Sequence, residues 1–204
     1  MVEIEQLLSN VTRPGRYSGG EWNSVTKSWS TNNHRVALAY PDVYDIGMSN
    51  MGLGILYDLL NQQSDVLCER VFTPWLDMQS QMRSQGIPLW SLENRRPIRD
   101  FDILGFTLQY ELTFTNVLTM LDLAQIPIYS KERTNDDPLV IAGGSAAFNP
   151  EPLAPFIDAF VLGEGEDVIL EISDLLRQWK KSSMPREERL KDLLLVPGVY
   201  VPAF

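Results

Sequence analysis

Apolar runs of strand length alternate with segments of helical period along most of this chain, and that alternation restricts the fold more than any other feature. Val36 to Tyr40 reads as a first strand, and Asn50 to Gln63 as a helix with Ile55, Leu56, Leu59 and Leu60 on one face. Val66 to Phe72 is a second strand. Pro74 opens the next helix, where its missing N–H is tolerated, and Gly86 closes it. Asp102 to Thr107 is a third strand, followed by a helix from Leu112 to Ala124 with Phe114, Val117, Leu118 and Leu121 at helical spacing. Leu139 to Ala142 and Ile157 to Leu162 are the fourth and fifth strands. Glu164 to Lys181 is the last long helix, with acids at its start and bases at its end, as the helix dipole favours. Such alternation implies a parallel sheet with helices on both faces. Five strands imply a flavodoxin-like α/β fold of order 2-1-3-4-5.

The remaining segments frame this unit, which spans residues 34–182. Residues 1–33 read as an N-terminal arm: Glu3 to Ser9 as a short helix, Arg13 to Asn23 as an irregular Gly- and Arg-rich stretch. Trp22 and Trp29 either anchor this arm on the domain or meet a partner. Ile87 to Arg99 is an insertion, and Ile126 to Tyr129 is an extra edge strand or a loop. Residues 183–204 hold a charged helix, PREERLKDLLL, then the extended VPGVYVPAF, which reads as a linker toward something further.

Charge and cysteine content exclude several functions. The net charge of -10 argues against a nucleic-acid or anionic-membrane surface, because phosphate binding needs clustered Lys and Arg. The one compact basic patch before the tail, Asn94 to Arg99, reads as a solvated loop. A single cysteine, Cys68, cannot form an internal disulfide, which fits a reducing cytoplasmic compartment. With one histidine, His34, the chain cannot by itself build a zinc or iron–sulfur site from Cys and His. Cys68 lies in the apolar VLCERVF and reads as a packing residue. No membrane span or secretory signal is expected.

In an open parallel sheet, ligands sit beyond the carboxyl ends of the strands. The loops there carry Pro41 to Asn50 (with Asp42, Tyr44, Asp45, Ser49 and Asn50), Thr107 to Glu111, Gly143 to Asn149 and Gly163 to Glu166. Gly143 and Gly144 remove side chains where a flat ligand could approach the backbone. Equally, the glycines could only turn the chain, and Glu164 and Glu166 only favour a helix N-terminus. No GxGxxG and no Walker Gly-Lys-Ser/Thr is present. Asp42 and Asp45 suggest a receiver-type acidic pocket, but the lysine that chemistry needs after the fifth strand is replaced by Gly163-Glu164.

Taken together these motifs resemble cobalamin-binding domains. Asp42-Val43-Tyr44-Asp45-Ile46-Gly47 is similar to the signature DxHxxG, with Tyr44 in place of histidine. Gly105-Phe106-Thr107-Leu108-Gln109 and Ala142-Gly143-Gly144 stand where that family has a Ser/Thr segment and a GG. Gly163-Glu164-Gly165-Glu166 resembles the GEGE that ends this domain in cobalamin-dependent radical SAM enzymes. With Arg16-Tyr17, Glu21 and Asn23, roughly residues 7–200 look like the N-terminal cobalamin-binding-like domain of an uncharacterised bacterial family of radical SAM proteins.

The resemblance implies a corrinoid held with Asp42, Tyr44 and Gly47 under the ring. Thr107 and Gln109 would lie near the nucleotide tail, Gly143 and Gly144 would let it pass, and Asp45, Ser49, Asn50, Gly163 and Glu164 would complete the site. A protonated phenol is a poor cobalt ligand, but radical SAM relatives bind cobalamin without histidine. The cluster motif CxxxCxxC is absent, so the iron–sulfur cluster and S-adenosylmethionine belong to a radical SAM core in the same or another chain, and this chain alone is not expected to be catalytic. Two alternatives stand beside this reading: a degenerate interaction domain with an empty cofactor site, and a flavodoxin-like module for another small ligand.

Overall fold

A computed structural model describes residues 2–30 and 34–204, with side chains from Ile4 onward. Its centre is a six-stranded sheet of order β2-β1-β3-β4-β5-β6. The strands are β1 (His34–Tyr40), β2 (Val66–Phe72), β3 (Ile103–Thr107), β4 (Leu139–Gly143), β5 (Ala159–Val161) and β6 (Val199–Tyr200). The first five are parallel, with Val36 opposite both Cys68 and Ile103, Ile103 opposite Leu139, and Ile141 opposite Ala159. This is the expected 2-1-3-4-5 α/β sheet. The addition is β6, which runs antiparallel along β5 with Phe160 opposite Tyr200. The tail expected to be only extended therefore carries a strand of the same sheet.

Side-chain alternation sorts the helices. Ala37, Ala39, Leu104, Phe106, Val140 and Phe160 face one core, shared with α1 (Val2–Leu8), α4 (Leu76–Gln85) and α5 (Phe114–Leu123). Val36, Leu38, Ile103, Ile141 and Val161 face the other, shared with α3 (Met51–Gln62), α6 (Glu166–Ser182) and α7 (Arg186–Leu193). Both faces of a parallel sheet are thus covered. Cys68 is 0 % exposed in the second core.

The helix ends follow local chemistry. Asn50 caps α3, its side chain accepting from Leu53 N at 2.8 Å. Gly86 ends α4 with φ 66. Pro74 stands ahead of α4 rather than inside it, because Trp75 is extended (ψ 161) and the helix begins at Leu76. A 3-10 turn at Glu111–Thr113 takes the place of the expected first turn of α5, and α6 starts at Glu166 with Gly165 at its N-cap. Ile126 to Tyr129 is a loop.

The N-terminal arm lies on the domain. The boundary expected at residue 33 falls outside the described residues. Lys27 Nζ donates to the carbonyls of Asn61, Gln63 and Val66 at 2.7, 2.6 and 2.6 Å, tying the arm to the end of α3. Trp29 packs edge-on against Phe101, with the Arg35 and Arg96 guanidiniums over its ring. Trp22 by contrast is fully exposed. The Asn94–Arg99 patch is used internally: Arg95 pairs with Glu5 at 2.6 Å, and Asn94 N donates to Glu69.

Candidate functional site

A cavity of about 220 Å³ opens at the carboxyl ends of β1, β3, β4 and β5, between α3 and α6. Leu38, Gly105, Ile141 and Val161 contribute its sheet floor, Gly52 and Leu56 the α3 side, and Gly165, Glu166 and Ile169 the α6 side. Thr107, Gln109, Gly143, Gly144, Gly163 and Glu164 complete it. The wall is largely backbone and apolar carbon, with a few polar groups at one side, the usual make-up of a small-molecule site.

Individual glycines have separable roles. A Cβ on Gly105, in mid-strand, would come within 3.3 Å of Leu38 Cδ2 and 3.6 Å of Ile141 Cγ1, so glycine keeps the floor low. Gly144 has φ 108, and a Cβ there would meet the Leu108 carbonyl oxygen at 2.4 Å. That close approach lets Leu108 N donate to Gly143 O at 2.7 Å and Ala146 N to Leu108 O at 3.1 Å. The paired glycines therefore lock the loop after β3 to the loop after β4. Ser145 Oγ adds a bond to the Gln109 carbonyl at 2.8 Å.

Six residues expected in the site meet at this cavity: Thr107, Gln109, Gly143, Gly144, Gly163 and Glu164. The other six do not line it. Asp42 accepts from Val43 N at 2.7 Å and from the Tyr110 hydroxyl at 2.5 Å. Tyr44 opens α2 (Tyr44–Gly47), packs edge-on against Phe72, and donates its hydroxyl to Glu21 Oε1 at 2.9 Å. Burial, and then the Glu21 hydrogen bond, push this phenol up to about 12. Asp45 pairs with Arg13 at 3.0 Å and Arg16 at 2.6 Å. Burial acts to raise its carboxyl, but backbone bonding and the two guanidiniums outweigh that and leave it below the usual range. A Cβ on Gly47 would run into the Phe72 ring at 2.5 Å. Ser49 Oγ donates to Ile46 O, and Asn50 serves as the α3 cap. The loop expected under a corrin ring is thus engaged with the arm and with β2.

Gly52, Leu56 and Gly105 line the cavity without having been assigned to the site, although Gly105 opens the quoted Gly105-to-Gln109 segment. Their signals were present: a glycine inside an apolar strand, and two residues one helical turn apart on the first turns of α3. Among the described residues no group of three His, Cys, Asp or Glu side chains could hold a metal. Cys68 is enclosed, and burial pushes its thiol well up. A larger cavity, about 790 Å³, lies at the opposite end of the sheet beside Tyr129, Arg133, Arg186 and Phe204. It is broad and open, and parallel α/β sheets receive ligands at the other end.

The sheet order and the cavity beyond its carboxyl ends define an open α/β domain with helices on both faces of a mostly parallel sheet, a class in which ligands are received at that edge. More particularly, the chain belongs to the family of radical SAM proteins, N-terminal, whose model matches residues 52–202. It is also similar to an uncharacterized protein of the archaeon Methanocaldococcus jannaschii, 27 % identical over 140 residues. That match covers 67 % of this chain and 26 % of the relative, so the chain spans about a quarter of that protein's length. No solved structure matches the chain. Among the described residues no helix is long and apolar enough to cross a membrane.

Proposed function

We propose that this chain is the cofactor-binding and docking domain of a cytoplasmic radical SAM enzyme, with residues 34–182 forming the cofactor domain, and that its strand-end cavity takes part of a corrinoid. The glycine-walled cavity carries the reading. Its size and flat, apolar lining fit a heterocyclic base with its sugar, and Thr107, Gln109 and Glu164 supply polar contacts at its side. Gly143, Gly144 and Gly163 leave room for a chain to pass. Tyr44 is not assigned as a cobalt ligand, because its hydroxyl is turned to Glu21 and its ring to Phe72. A bound corrinoid would supply methyl-transfer or related radical chemistry to the whole enzyme. The iron–sulfur cluster and S-adenosylmethionine would sit in the radical SAM core, since this chain has a single, buried cysteine.

One observation favours a second reading, a docking domain whose cofactor site is empty. The DxHxxG-like loop is held by Glu21, Arg13 and Arg16 of the arm. The test is to incubate the protein, joined to its radical SAM core, with hydroxocobalamin, desalt it and record the absorption spectrum. Retained corrinoid that is lost in Gly105→Leu, which fills the cavity floor, supports cofactor binding. No retention in the unmodified protein leaves the docking reading alone.

A further inference from the structure

We infer that the carboxyl-end face of the sheet, the rim around the cavity, is the surface on which the radical SAM core docks. The loops after β1, β2, β3 and β4, and the turn before β6, each present a large apolar side chain to solvent, whereas the loop after β5 presents Glu164. In sheet order these are Trp75 after β2, Met51 after β1, Leu112 after β3, Phe148 after β4 and Leu195 in the turn before β6. Leu162 N donates to Gly198 O, which sets that last turn at the carboxyl end of β5. Met51, Leu112, Phe148 and Leu195 are 79, 88, 69 and 80 % exposed. Single exposed apolar residues are ordinary, but a row that follows the strand order is not what a solvated edge requires.

Charge on the same face says what covers it. Glu111, Glu164 and Glu166 are exposed there and, among the described residues, make no ion pair. A second copy of this chain paired face to face would set these acids against their like, and anionic lipid would meet the same repulsion. An apolar protein surface edged with Lys or Arg fits both features. The chain spans about a quarter of its relative and belongs to a family described as the N-terminal part of radical SAM proteins, so the core is the occupant. The inference rests on the docking half of the proposed function and not on corrinoid binding.

The test uses this chain together with its core, with and without hydroxocobalamin, and reads hydrogen–deuterium exchange over residues 46–55, 108–115 and 145–150. Slow exchange in these segments is expected in both conditions. A Leu112→Asp, Phe148→Asp double variant should speed it at least tenfold with an unchanged circular dichroism spectrum, whereas Tyr129→Asp, at the amino end, should not. Protection that responds only to Tyr129→Asp, or no protection at all, overturns the inference. So does a double variant whose only effect is to halve the particle mass, which marks a second copy, or to release the protein from phosphatidylserine vesicles. Loss of corrinoid retention with protection intact would remove the cofactor and leave this surface standing.

Discussion

The Tyr44 hydroxyl donates to Glu21 Oε1 at 2.9 Å, so the residue at the histidine position of the DxHxxG-like motif faces the N-terminal arm and not the strand-end cavity. The arm and the loop are held as one unit by this bond and by the Arg13 and Arg16 pairs to Asp45.

Tyr44→Phe should therefore weaken the fold without altering the cavity. A hydrogen bond to a charged acceptor contributes about 1.5–3 kcal/mol, and the ring's packing on Phe72 is kept. The expected loss is at the lower end, about 1.5 kcal/mol by urea titration, with unchanged corrinoid retention. Tyr44→His should not produce a histidine-ligated cobalt spectrum. Such a spectrum would show that the loop turns toward the cavity when loaded. The raised phenol, at about 12, also sets a sign: between about 10 and 12 the folded state holds a proton that the unfolded state has released. Wild-type stability should fall with pH across that window, and Tyr44→Phe should flatten the fall.

Gly144→Ala and Gly143→Ala should differ sharply although the residues are adjacent. At position 144 a Cβ meets both φ 108 and the Leu108 carbonyl at 2.4 Å, where backbone must move. At position 143 the nearest atom to a Cβ is Val161 Cβ at 3.5 Å, ordinary contact. Strain of this kind costs about 1–3 kcal/mol. Gly144→Ala should lose at least about 2 kcal/mol and Gly143→Ala under about 1 kcal/mol. Equal losses in chemical denaturation would contradict the assignment of the close approach to Gly144.

The sequence made the frame of this molecule readable because its information is local. Apolar runs of strand length and the helical stripe of Ile169, Ile172 and Leu176 report their own elements. β6 was read only as extended chain, since two half-buried residues gain their identity from pairing with Phe160 and Val161. The candidate site was legible in half. The strand-end glycines Gly143, Gly144 and Gly163 could be picked out from sequence and do meet at the cavity, although only Gly144 is needed for a close backbone approach. Asp42, Tyr44 and Asp45 have partners 68, 23 and 32 residues away in sequence, in Tyr110, Glu21 and Arg13, and no local pattern announces such contacts. Tyr44 and Asp45 of the DxHxxG-like stretch thus serve the arm and not the cavity.

Acid should weaken the joint between α3, β1 and α6. Asp65 takes Arg177 through both oxygens, at 2.7 and 2.9 Å, and lies 3.2 Å from His34 Nδ1. The Arg177 hydrogen bonds hold its carboxyl far below the usual carboxylate range. For a lowered carboxyl the stabilisation is present above the unfolded value, about 3.9, and is lost as pH falls toward the folded one. The side chain is nearly half exposed, so solvent screening limits the effect to about 1 kcal/mol or less. Urea midpoints of wild type and Arg177→Ala should differ at pH 7, and the gap should start to close only as pH falls below about 4. A gap that widened in acid would refute the pairing.

The largest single loss should come from the other end of the sheet. Asp158, 1 % exposed, accepts from Val140 N at 2.7 Å and from Ser130, and it pairs with both Arg133, at 3.1 Å, and Arg186. One carboxylate thus compensates two buried guanidiniums, whose other donors go to carbonyls of the loop before β4 and of Phe156. Asp158→Ala removes the carboxylate that pairs directly with both guanidiniums. Breaking a buried pair by deleting one partner costs about 3–5 kcal/mol, because the remaining charge stays desolvated. In a domain of this size each kcal/mol is about 2–4 °C of melting temperature. A drop of about 10 °C is therefore expected in a thermal melt. Below the new melting point corrinoid retention should be unchanged, because the cavity lies at the opposite ends of the strands. A change in retention without a fall in melting temperature would mean that the two ends of the sheet are coupled.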